Sequence, residues 1–177
     1  MINKEKIYAF IDSQNLNLSV QKDILNSGTK DLIYKGWKLD FSRFFIYLRD
    51  KYKVEKAFLF IGRVAGNESL YTFLEDVGYQ VIYKPTLEYA EGKEKFTKGN
   101  VDAELVLHAM IEYPNYSKAI IVSGDGDYFC LVEYLERQNK LLHLFIPNKM
   151  SYSSLLRKFN RYLVYVTDLQ VKLELRT

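Results

Sequence analysis

Short apolar runs alternate with amphipathic segments along the whole chain. The apolar runs have the length and the branched or aromatic composition of buried strands, and they lie at 7–11, 54–61, 79–83, 118–122, 141–146 and 162–166. Strands that are separated by helices favour a parallel sheet, because each crossover returns the chain to the same edge. The sequence therefore predicts an α/β fold: a three-layer sandwich in which a mainly parallel sheet of about five to six strands has helices on both faces.

The segments between these runs carry helix signals. Helices are predicted at 15–25, 41–52, 67–77, 101–113, 128–138 and 153–159. Asp40 precedes the second helix as a candidate N-cap, and Gly28 and Gly78 follow two others as stop signals. The charged, glycine-containing segment 88–100 is interpreted as an exposed loop. The length fits one domain, which we expect to span residues 1–177.

Composition limits the classes of function that the chain can serve. Hydrophobic residues make up 48% and charged residues 27% of the chain, as in globular proteins in general. The net charge of +3 permits a polyanionic partner. Cys130 is the single cysteine, which excludes an intrachain disulfide and a multi-cysteine zinc site; its apolar neighbours predict a buried, inert thiol. Without a leader or a run of about 18 apolar residues, we expect a cytoplasmic protein with no membrane partner.

Carboxylates follow two of the predicted strands directly. Asp12 comes after the first strand, and Asp125 and Asp127 flank Gly126 after the fourth. In open parallel sheets, ligands bind at the carboxyl ends of the strands where the strand order reverses. Clustered carboxylates raise one another's pKa, and a divalent hard cation compensates this repulsion. The pattern therefore predicts a Mg²⁺ or Mn²⁺ site at this edge of the sheet.

Each acid also has a purely structural interpretation. Asp102, at the first turn of its helix, is either a fourth ligand or a cap that interacts with the helix dipole. The Asp-Gly-Asp tripeptide is also typical of a turn. Asp12 has no obvious capping role, because it follows a buried strand. Taken together at one edge, the acids favour the metal site.

The chain carries three motifs in a fixed order: FIDSQNL, KGNVD and VSGDGDY. In this order they resemble the NYN domain of the PIN-like nuclease superfamily, in particular its LabA-like branch, over residues 7 to about 166. The resemblance implies a PIN-like α/β sandwich whose acids bind Mg²⁺ or Mn²⁺ and, in active members, cleave RNA. It implies a catalytic and metal-binding set that consists of Asp12, Asp102, Asp125 and Asp127. It further implies a catalytic or substrate-binding role for Asn15 and a substrate-binding role for Ser123.

Two positions depart from the family pattern. The family often has glycine after its first aspartate, and this chain has Ser13. Many relatives carry a further acid in the middle of the helix that starts near Asp102, and the matching position is His108. We interpret His108 as a partly buried helix residue rather than a ligand. Glu104, one turn earlier, either substitutes for the missing acid or points to solvent.

The first hypothesis for function is metal-assisted hydrolysis of phosphodiester bonds in RNA, with single-stranded RNA as the expected partner. Substrate contacts are expected from Arg63, Lys93, Lys95 and Lys98. The interleaved Tyr89 and Phe96 either stack on unpaired bases or pack on the body of the protein.

Two other functions compete with this hypothesis. The first is a catalytically weak or inactive domain that acts as an RNA-binding or regulatory module, which His108 favours. The second is a phosphatase or nucleotide-processing enzyme, because Asp-x-Asp after a strand also serves phosphoryl chemistry. A homodimer is compatible with the sheet edges and the aromatic C-terminal segment.

Overall fold

A six-stranded sheet forms the centre of the structure, a computed structural model that describes residues 5–85, 87–91, 94–98 and 101–176. For residues 85, 87–91 and 94–98 only the backbone is described. In spatial order the strands are β10 (Leu163–Tyr165), β9 (Leu141–Ile146), β8 (Lys118–Val122), β1 (Ile7–Asp12), β4 (Val54–Arg63) and β5 (Gln80–Pro85). Every pairing in this sheet is parallel. The predicted α/β class and the strand number are confirmed.

Helices and two small ribbons complete the described fold. The α-helices are α1 (Ser13–Gln21), α2 (Phe41–Tyr52), α3 (Glu68–Val77), α4 (Asp102–Ile111), α5 (Phe129–Arg137) and α6 (Gln170–Leu173). Segments of 3₁₀-helix span Gly126–Tyr128, Ser154–Tyr162 and Val166–Leu169. The ribbons are antiparallel pairs, β2 (Ile24–Leu25) with β3 (Leu32–Tyr34) and β6 (Leu87–Glu91) with β7 (Glu94–Lys98).

The sheet separates two hydrophobic cores, as a three-layer sandwich requires. Alternate side chains of β1 enter opposite cores: Ile11 faces one side and Phe10 the other. The first core receives α1, α2, α3 and α6, for example through Leu16 and Phe44. The second receives α4 and α5, for example through Leu105. Because β1 is buried on both faces along its whole length, the end of this strand is a fixed platform.

Local signals set several helix ends as predicted. The Asp40 carboxylate accepts a hydrogen bond from the backbone N–H of Arg43 at 3.1 Å and so caps α2. Gly78 ends α3 with a φ of +116°, a backbone conformation that side-chain-bearing residues rarely adopt. Within the described residues, no helix has the length and the hydropathy that crossing a bilayer would require.

The helix predicted at 15–25 ends earlier than expected. It stops at Gln21, and Ile24–Leu25 instead form β2. The reason is tertiary: the returning ribbon supplies the Trp37 N–H and the Tyr34 hydroxyl to the carbonyl of Val20. Donors from a distant part of the chain thus replace the next helical turn.

Two further expectations are wrong. The segment 88–100 was expected to be a loop, but β6 and β7 pair in it with Tyr89 opposite Phe96. The high charge content and the glycines of this segment favoured a loop in the sequence prediction, because neither strand has the alternation of apolar and polar residues that marks a half-buried strand. Cys130 is exposed rather than buried. It lies in α5 beside Leu131 and Val132, which take the buried side of this amphipathic helix.

Candidate metal centre

The order of the strands creates a crevice at the carboxyl ends of β1 and β8. From β1 the chain moves outward to β4 and β5, then returns to the other side of β1 and continues through β8, β9 and β10. Crossovers on the two sides of β1 diverge, which leaves an open space above these strand ends. In this space lies a cleft of about 350 Å³, which we call the acidic cleft; four aspartates line it, Asp12, Asp102, Asp125 and Asp127.

Three of these aspartates form a close group. Carboxylate oxygens of Asp102, Asp125 and Asp127, one from each residue, lie within 4.8 Å of one another. Asp102 is the first residue of α4, whereas the other two follow β8. Asp125 caps the 3₁₀ turn by accepting the Asp127 N–H at 3.0 Å. The fold thus brings together acids from two distant segments, as the sequence predicted.

Asp12 lies at the buried floor of the acidic cleft and is only 4% exposed. Its Oδ1 accepts the N–H of Asn15 at 3.0 Å, which makes it the N-cap of α1. The expectation that Asp12 has no capping role is therefore wrong. The capping role considered for Asp102 is also wrong, because Val101 occupies the cap position of α4 and Asp102 is already the first residue of the helix.

Burial raises the pKa of the Asp12 carboxyl above its ordinary value, and the charges of Asp102 and Asp125 act in the same direction. Hydrogen bonds from the Asn15 N–H and from Tyr128 oppose this rise without cancelling it. A carboxylate that is disfavoured by burial and by like charges gains stability when a cation binds beside it.

Tyr128 is the site residue that sequence reasoning missed. Its buried hydroxyl lies 2.6 Å from Asp102 Oδ1 and 3.2 Å from Asp12 Oδ2, so one phenol joins the two segments. Burial raises the pKa of Tyr128 far above the usual value, and the two carboxylates reinforce this, so the phenol keeps its proton and acts as a donor. Its position directly after the Asp-Gly-Asp turn was the available signal, but the residue was assigned only to the start of a helix.

Gly126 of the Asp-Gly-Asp turn and Gly124, which precedes the turn, allow the chain to pack closely beside it. A Cβ atom on Gly126 would lie 2.5 Å from Ser153 Oγ, and one on Gly124 would lie 3.1 Å from Tyr152 Cβ. The Ser153 N–H donates to the Gly124 carbonyl at 2.9 Å. Substitution of either glycine would therefore push the acidic turn away from the segment that supports it.

Polar residues around the turn serve first to hold the strand ends together. Asn15 Oδ1 accepts the Gly124 N–H at 2.8 Å, which joins α1 to the end of β8 and leaves its Nδ2 for a ligand. Ser13 Oγ donates to the Phe60 carbonyl at 2.7 Å, a contact that glycine would not make. Ser123 is fully buried and its Oγ accepts the Asp125 N–H at 3.2 Å. A substrate contact by Ser123 stays a prediction that burial does not favour.

Of the four predicted substrate-binding cations, only Arg63 has a described side chain. Arg63 is exposed at the end of β4, with its guanidinium 5.6 Å from the centre of the Tyr83 ring, and it does not line the acidic cleft. Lys93 lies outside the described residues. The backbones of Lys95 and Lys98 belong to β7, but their side chains lie outside the described part, as do those of Tyr89 and Phe96.

His108, at the position where the resemblance implies a further acid, packs against a neighbouring aromatic ring. The His108 ring is partly buried, lies 5.5 Å from the Phe60 ring, and donates from Nδ1 to the carbonyl of Glu104 at 2.9 Å. The prediction of a partly buried helix residue is confirmed. The Glu104 carboxylate lies 3.1 Å from the amine of Lys84 and is not part of the close acidic group.

The chemistry of the acidic cleft fits a hard divalent cation. Mg²⁺ and Mn²⁺ prefer oxygen ligands, and Mg²⁺ commonly uses one or two carboxylates with water and phosphate. Asp12, Asp125 and Asp127 form no ion pair with any residue of the described ranges, so these carboxylates are not neutralised by a nearby lysine or arginine there. By the number and kind of their oxygen donors, the three grouped aspartates could hold one metal ion.

Comparison with known proteins agrees with this geometry. The sequence model of the NYN domain matches residues 6–168, nearly the whole chain. The chain belongs to the NYN domain family. The low amplitude and bright protein LabA of Synechococcus elongatus is 23% identical over 165 residues, which cover 89% of this chain and 82% of LabA. A crystal structure of a protein of unknown function from Vibrio parahaemolyticus has the same fold, with a TM-score of 0.74, 24% identity and 99% of both chains covered.

Proposed function

We propose that this NYN domain is a ribonuclease that requires Mg²⁺ or Mn²⁺ and hydrolyses phosphodiester bonds of RNA. The observation that carries the proposal is the group of three aspartate carboxylates within 4.8 Å, above the buried Asp12, at the strand-order reversal of a nuclease-family fold. Structural acids at a protein surface are normally spaced apart or paired with cations. A cluster of like charges at the edge where such folds bind ligands supports a catalytic role.

Each residue of the site has a distinct part in this proposal. Asp102, Asp125 and Asp127 would bind the metal, which when bound polarises the phosphate and lowers the pKa of an attacking water. Tyr128 holds Asp102 in place from below and connects it to Asp12, the buried fourth acid of the cleft. Asn15 would donate from Nδ2 to a phosphate oxygen, since its Oδ1 is committed to Gly124.

A second candidate function is an RNA-binding or regulatory module without catalysis. His108 favours this alternative, because an imidazole that packs on Phe60 stands where many relatives have an acid. The nearest substitute, Glu104, is engaged with Lys84. A cleft that lacks one acid could retain RNA binding while turnover is lost.

Incubation of the purified protein with end-labelled single-stranded RNA separates these functions. The ribonuclease should produce fragments in Mn²⁺ or Mg²⁺ and none in chelator. Asp125→Asn should abolish the fragments, whereas the matched variant Asp76→Asn, which changes an exposed aspartate outside the acidic cleft, should leave them unchanged. Binding of RNA without turnover in either metal would support the RNA-binding or regulatory module without catalysis. Hydrolysis of mononucleotides alone would instead indicate a phosphatase.

A further inference from the structure

A second pocket lies beside the acidic cleft, between the first turns of α1 and α3. Its volume is about 520 Å³, within the range of roughly 300–1,000 Å³ that is typical of ligand pockets. Leu59, Leu74 and Tyr71 form its buried floor, and Gln14, Asn67 and Leu70 form its exposed rim. We call it the neutral pocket, because none of the described residues that line it carries a charge.

This lining restricts what the neutral pocket can bind. A phosphate or a metal ion would lose hydration there without gaining a counter-charge, which is unfavourable. A flat, uncharged group with an apolar face and polar edges fits better: the face can lie on the partly exposed side chains of Phe41 and Ile61, and the side-chain amides of Gln14 and Asn67 can both donate and accept hydrogen bonds at the rim. An unpaired nucleobase has this combination of surfaces.

The neutral pocket adjoins the acidic cleft. Gln14 and Leu18 line both spaces, and Ser13 in the neutral pocket follows Asp12 of the acidic cleft directly. The two spaces therefore share one wall, the first two turns of α1. A strand with one phosphate at the aspartates would therefore pass beside the neutral pocket.

The walls of the neutral pocket are fixed by hydrogen bonds of their own. The Tyr71 hydroxyl accepts the Val64 N–H at 2.7 Å and lies 3.2 Å from the carbonyl oxygen of Val64, so the loop after β4 is tied to α3. Ser13 Oγ is likewise occupied by the Phe60 carbonyl. A preformed pocket of this kind gains affinity because little ordering is needed when a ligand enters.

We infer that the neutral pocket binds one unpaired nucleobase of the substrate strand, adjacent to the nucleotide whose phosphate lies at the acidic cleft. This inference rests on the proposed ribonuclease function and adds a positioning subsite to it. The base packs on Phe41 and Ile61, and its edge bonds to the rim amides of Gln14 and Asn67. The pocket thereby fixes which phosphate of a single strand reaches the aspartates, and it excludes a base that is already paired in a duplex.

The first test uses nucleosides and no metal, so that its outcome does not depend on cleavage. Uridine and adenosine are titrated into ¹⁵N-labelled protein, with ribose 5-phosphate as the control ligand. The nucleosides should shift the backbone amide resonances of Asn67 and Leu70 in a saturable manner, and ribose 5-phosphate should not. Absence of nucleoside shifts at these positions, or equal shifts with ribose 5-phosphate, would overturn the inference.

The second test uses a matched pair of variants on α3. Leu70 is 41% and Phe73 46% exposed, but only Leu70 lines the neutral pocket. Leu70→Asp and Phe73→Asp add the same charge to the same helix, so they repel RNA to a similar extent. In an Asp125→Asn background that slows cleavage, Leu70→Asp should weaken binding of a short single-stranded RNA by roughly 5- to 150-fold, the range for loss of one base contact. Phe73→Asp should change it by no more than about twofold.

Oligonucleotides with one abasic nucleotide complete the second test. At one position in the strand, loss of the base should weaken binding to the Asp125→Asn protein about as much as Leu70→Asp does, and Leu70→Asp should then add no more than Phe73→Asp does. If abasic substitution is additive with Leu70→Asp at every position, the neutral pocket holds no base. Cleavage without any abasic effect would contradict the subsite alone. Nucleoside shifts in a protein that never cleaves RNA would contradict the ribonuclease alone.

Discussion

Charged side chains are arranged differently at the amino-terminal edge of the sheet and in the acidic cleft at the opposite edge. At the amino-terminal edge, charges have partners: the Lys140 amine donates to the carbonyls of Tyr113 and Tyr116 at 2.6 and 2.7 Å and lies 4.0 Å from the centre of the Tyr113 ring. Lys56 lies 3.7 Å from Glu112 at the same edge. At the carboxyl-terminal edge, the acidic cleft instead gathers aspartates against one another.

This difference distinguishes charges that close the fold from charges that are kept for a ligand. The amine of Lys140 satisfies carbonyl groups that would otherwise lack a donor, so it stabilises the folded state. Grouped carboxylates destabilise the folded state until a cation compensates them. We therefore expect substitutions at the amino-terminal edge to change stability and substitutions in the acidic cleft to change metal binding and activity.

The largest expected effect is on activity. Replacement of Asp125 and Asp127 together by Asn should lower the RNA cleavage rate at least about 100-fold, because the metal contributes several kcal/mol of transition-state stabilisation. The melting temperature of the metal-free variant should be equal to or higher than that of the parent, because like-charge repulsion is removed. Rates from single-turnover assays and melting curves in chelator check this, and a marked loss of stability would contradict the distinction between the edges.

The next effect concerns the support of the acidic cleft. Tyr128→Phe removes the hydroxyl that contacts Asp12 and Asp102. Loss of such a partner of metal ligands typically costs 10- to 100-fold in affinity, so the dissociation constant for Mn²⁺ should rise by about that factor. Calorimetric titration with Mn²⁺ measures it. Tyr134→Phe, on the exposed side of α5, should bind Mn²⁺ like the parent; equal affinity in both variants would show that Tyr128 does not position the ligands.

A smaller effect is expected at the amino-terminal edge, and it is on stability alone. Lys140→Met leaves the carbonyls of Tyr113 and Tyr116 without their charged donor and should lower the free energy of unfolding by about 1.5–3 kcal/mol. Lys22→Met, at an exposed position, should change it by less than about 0.5 kcal/mol. Urea denaturation measures both. A Lys140→Met protein that is folded but has lost Mn²⁺ binding would break the comparison.

The smallest effect concerns the positive charge that His143 acquires when it is protonated at low pH. Burial lowers the pKa of His143 below its usual value, and the charge of Lys51 acts in the same direction against a hydrogen bond to the backbone of Tyr162. The folded state therefore binds this proton less readily than the unfolded chain. The stability that neutral His143 contributes is fully present above the ordinary histidine pKa of about 6.5. It is lost as the pH falls through the lower pKa of His143 in the folded state.

His143→Phe should remove this dependence. Because the side chain is partly exposed, the benefit of the variant should stay below about 1 kcal/mol. Melting temperatures of both proteins, measured from about pH 7.5 to about pH 5.5, check the sign. The parent should lose more stability than the variant over this range. A difference between the two proteins that does not change with pH would contradict it.

Site residues differed in how far they could be predicted. Asp12, Asp125 and Asp127 were placed at one edge because a buried strand must end there and parallel strands end together. The hydroxyl of Tyr128 could not be placed, since its two acceptors come from segments that are far away in sequence. The capping role of Asp12 was missed for a different reason. The strand passes into α1 without an intervening loop, so the last residue of β1 is also the N-cap of the helix.

Along the chain, local signals were reliable where their partners are also local. Asp40 and Gly78 set helix ends through contacts with their own helices, and both ends were predicted. The end of α1 and the ribbon β2–β3 depend on Trp37 and Tyr34, which reach Val20 from beyond the helix. No pattern within residues 15–25 records that contact.

By itself, the sequence determined the layered α/β fold and the acids at one edge, because hydrophobic periodicity and the positions of strand ends are local properties. Only the tertiary structure decided which carboxylates meet, that Tyr128 joins them, and that an uncharged pocket opens beside them. Those outcomes depend on the order of strands in the sheet and on the packing of helices across it, and such long-range geometry is not written in any single segment.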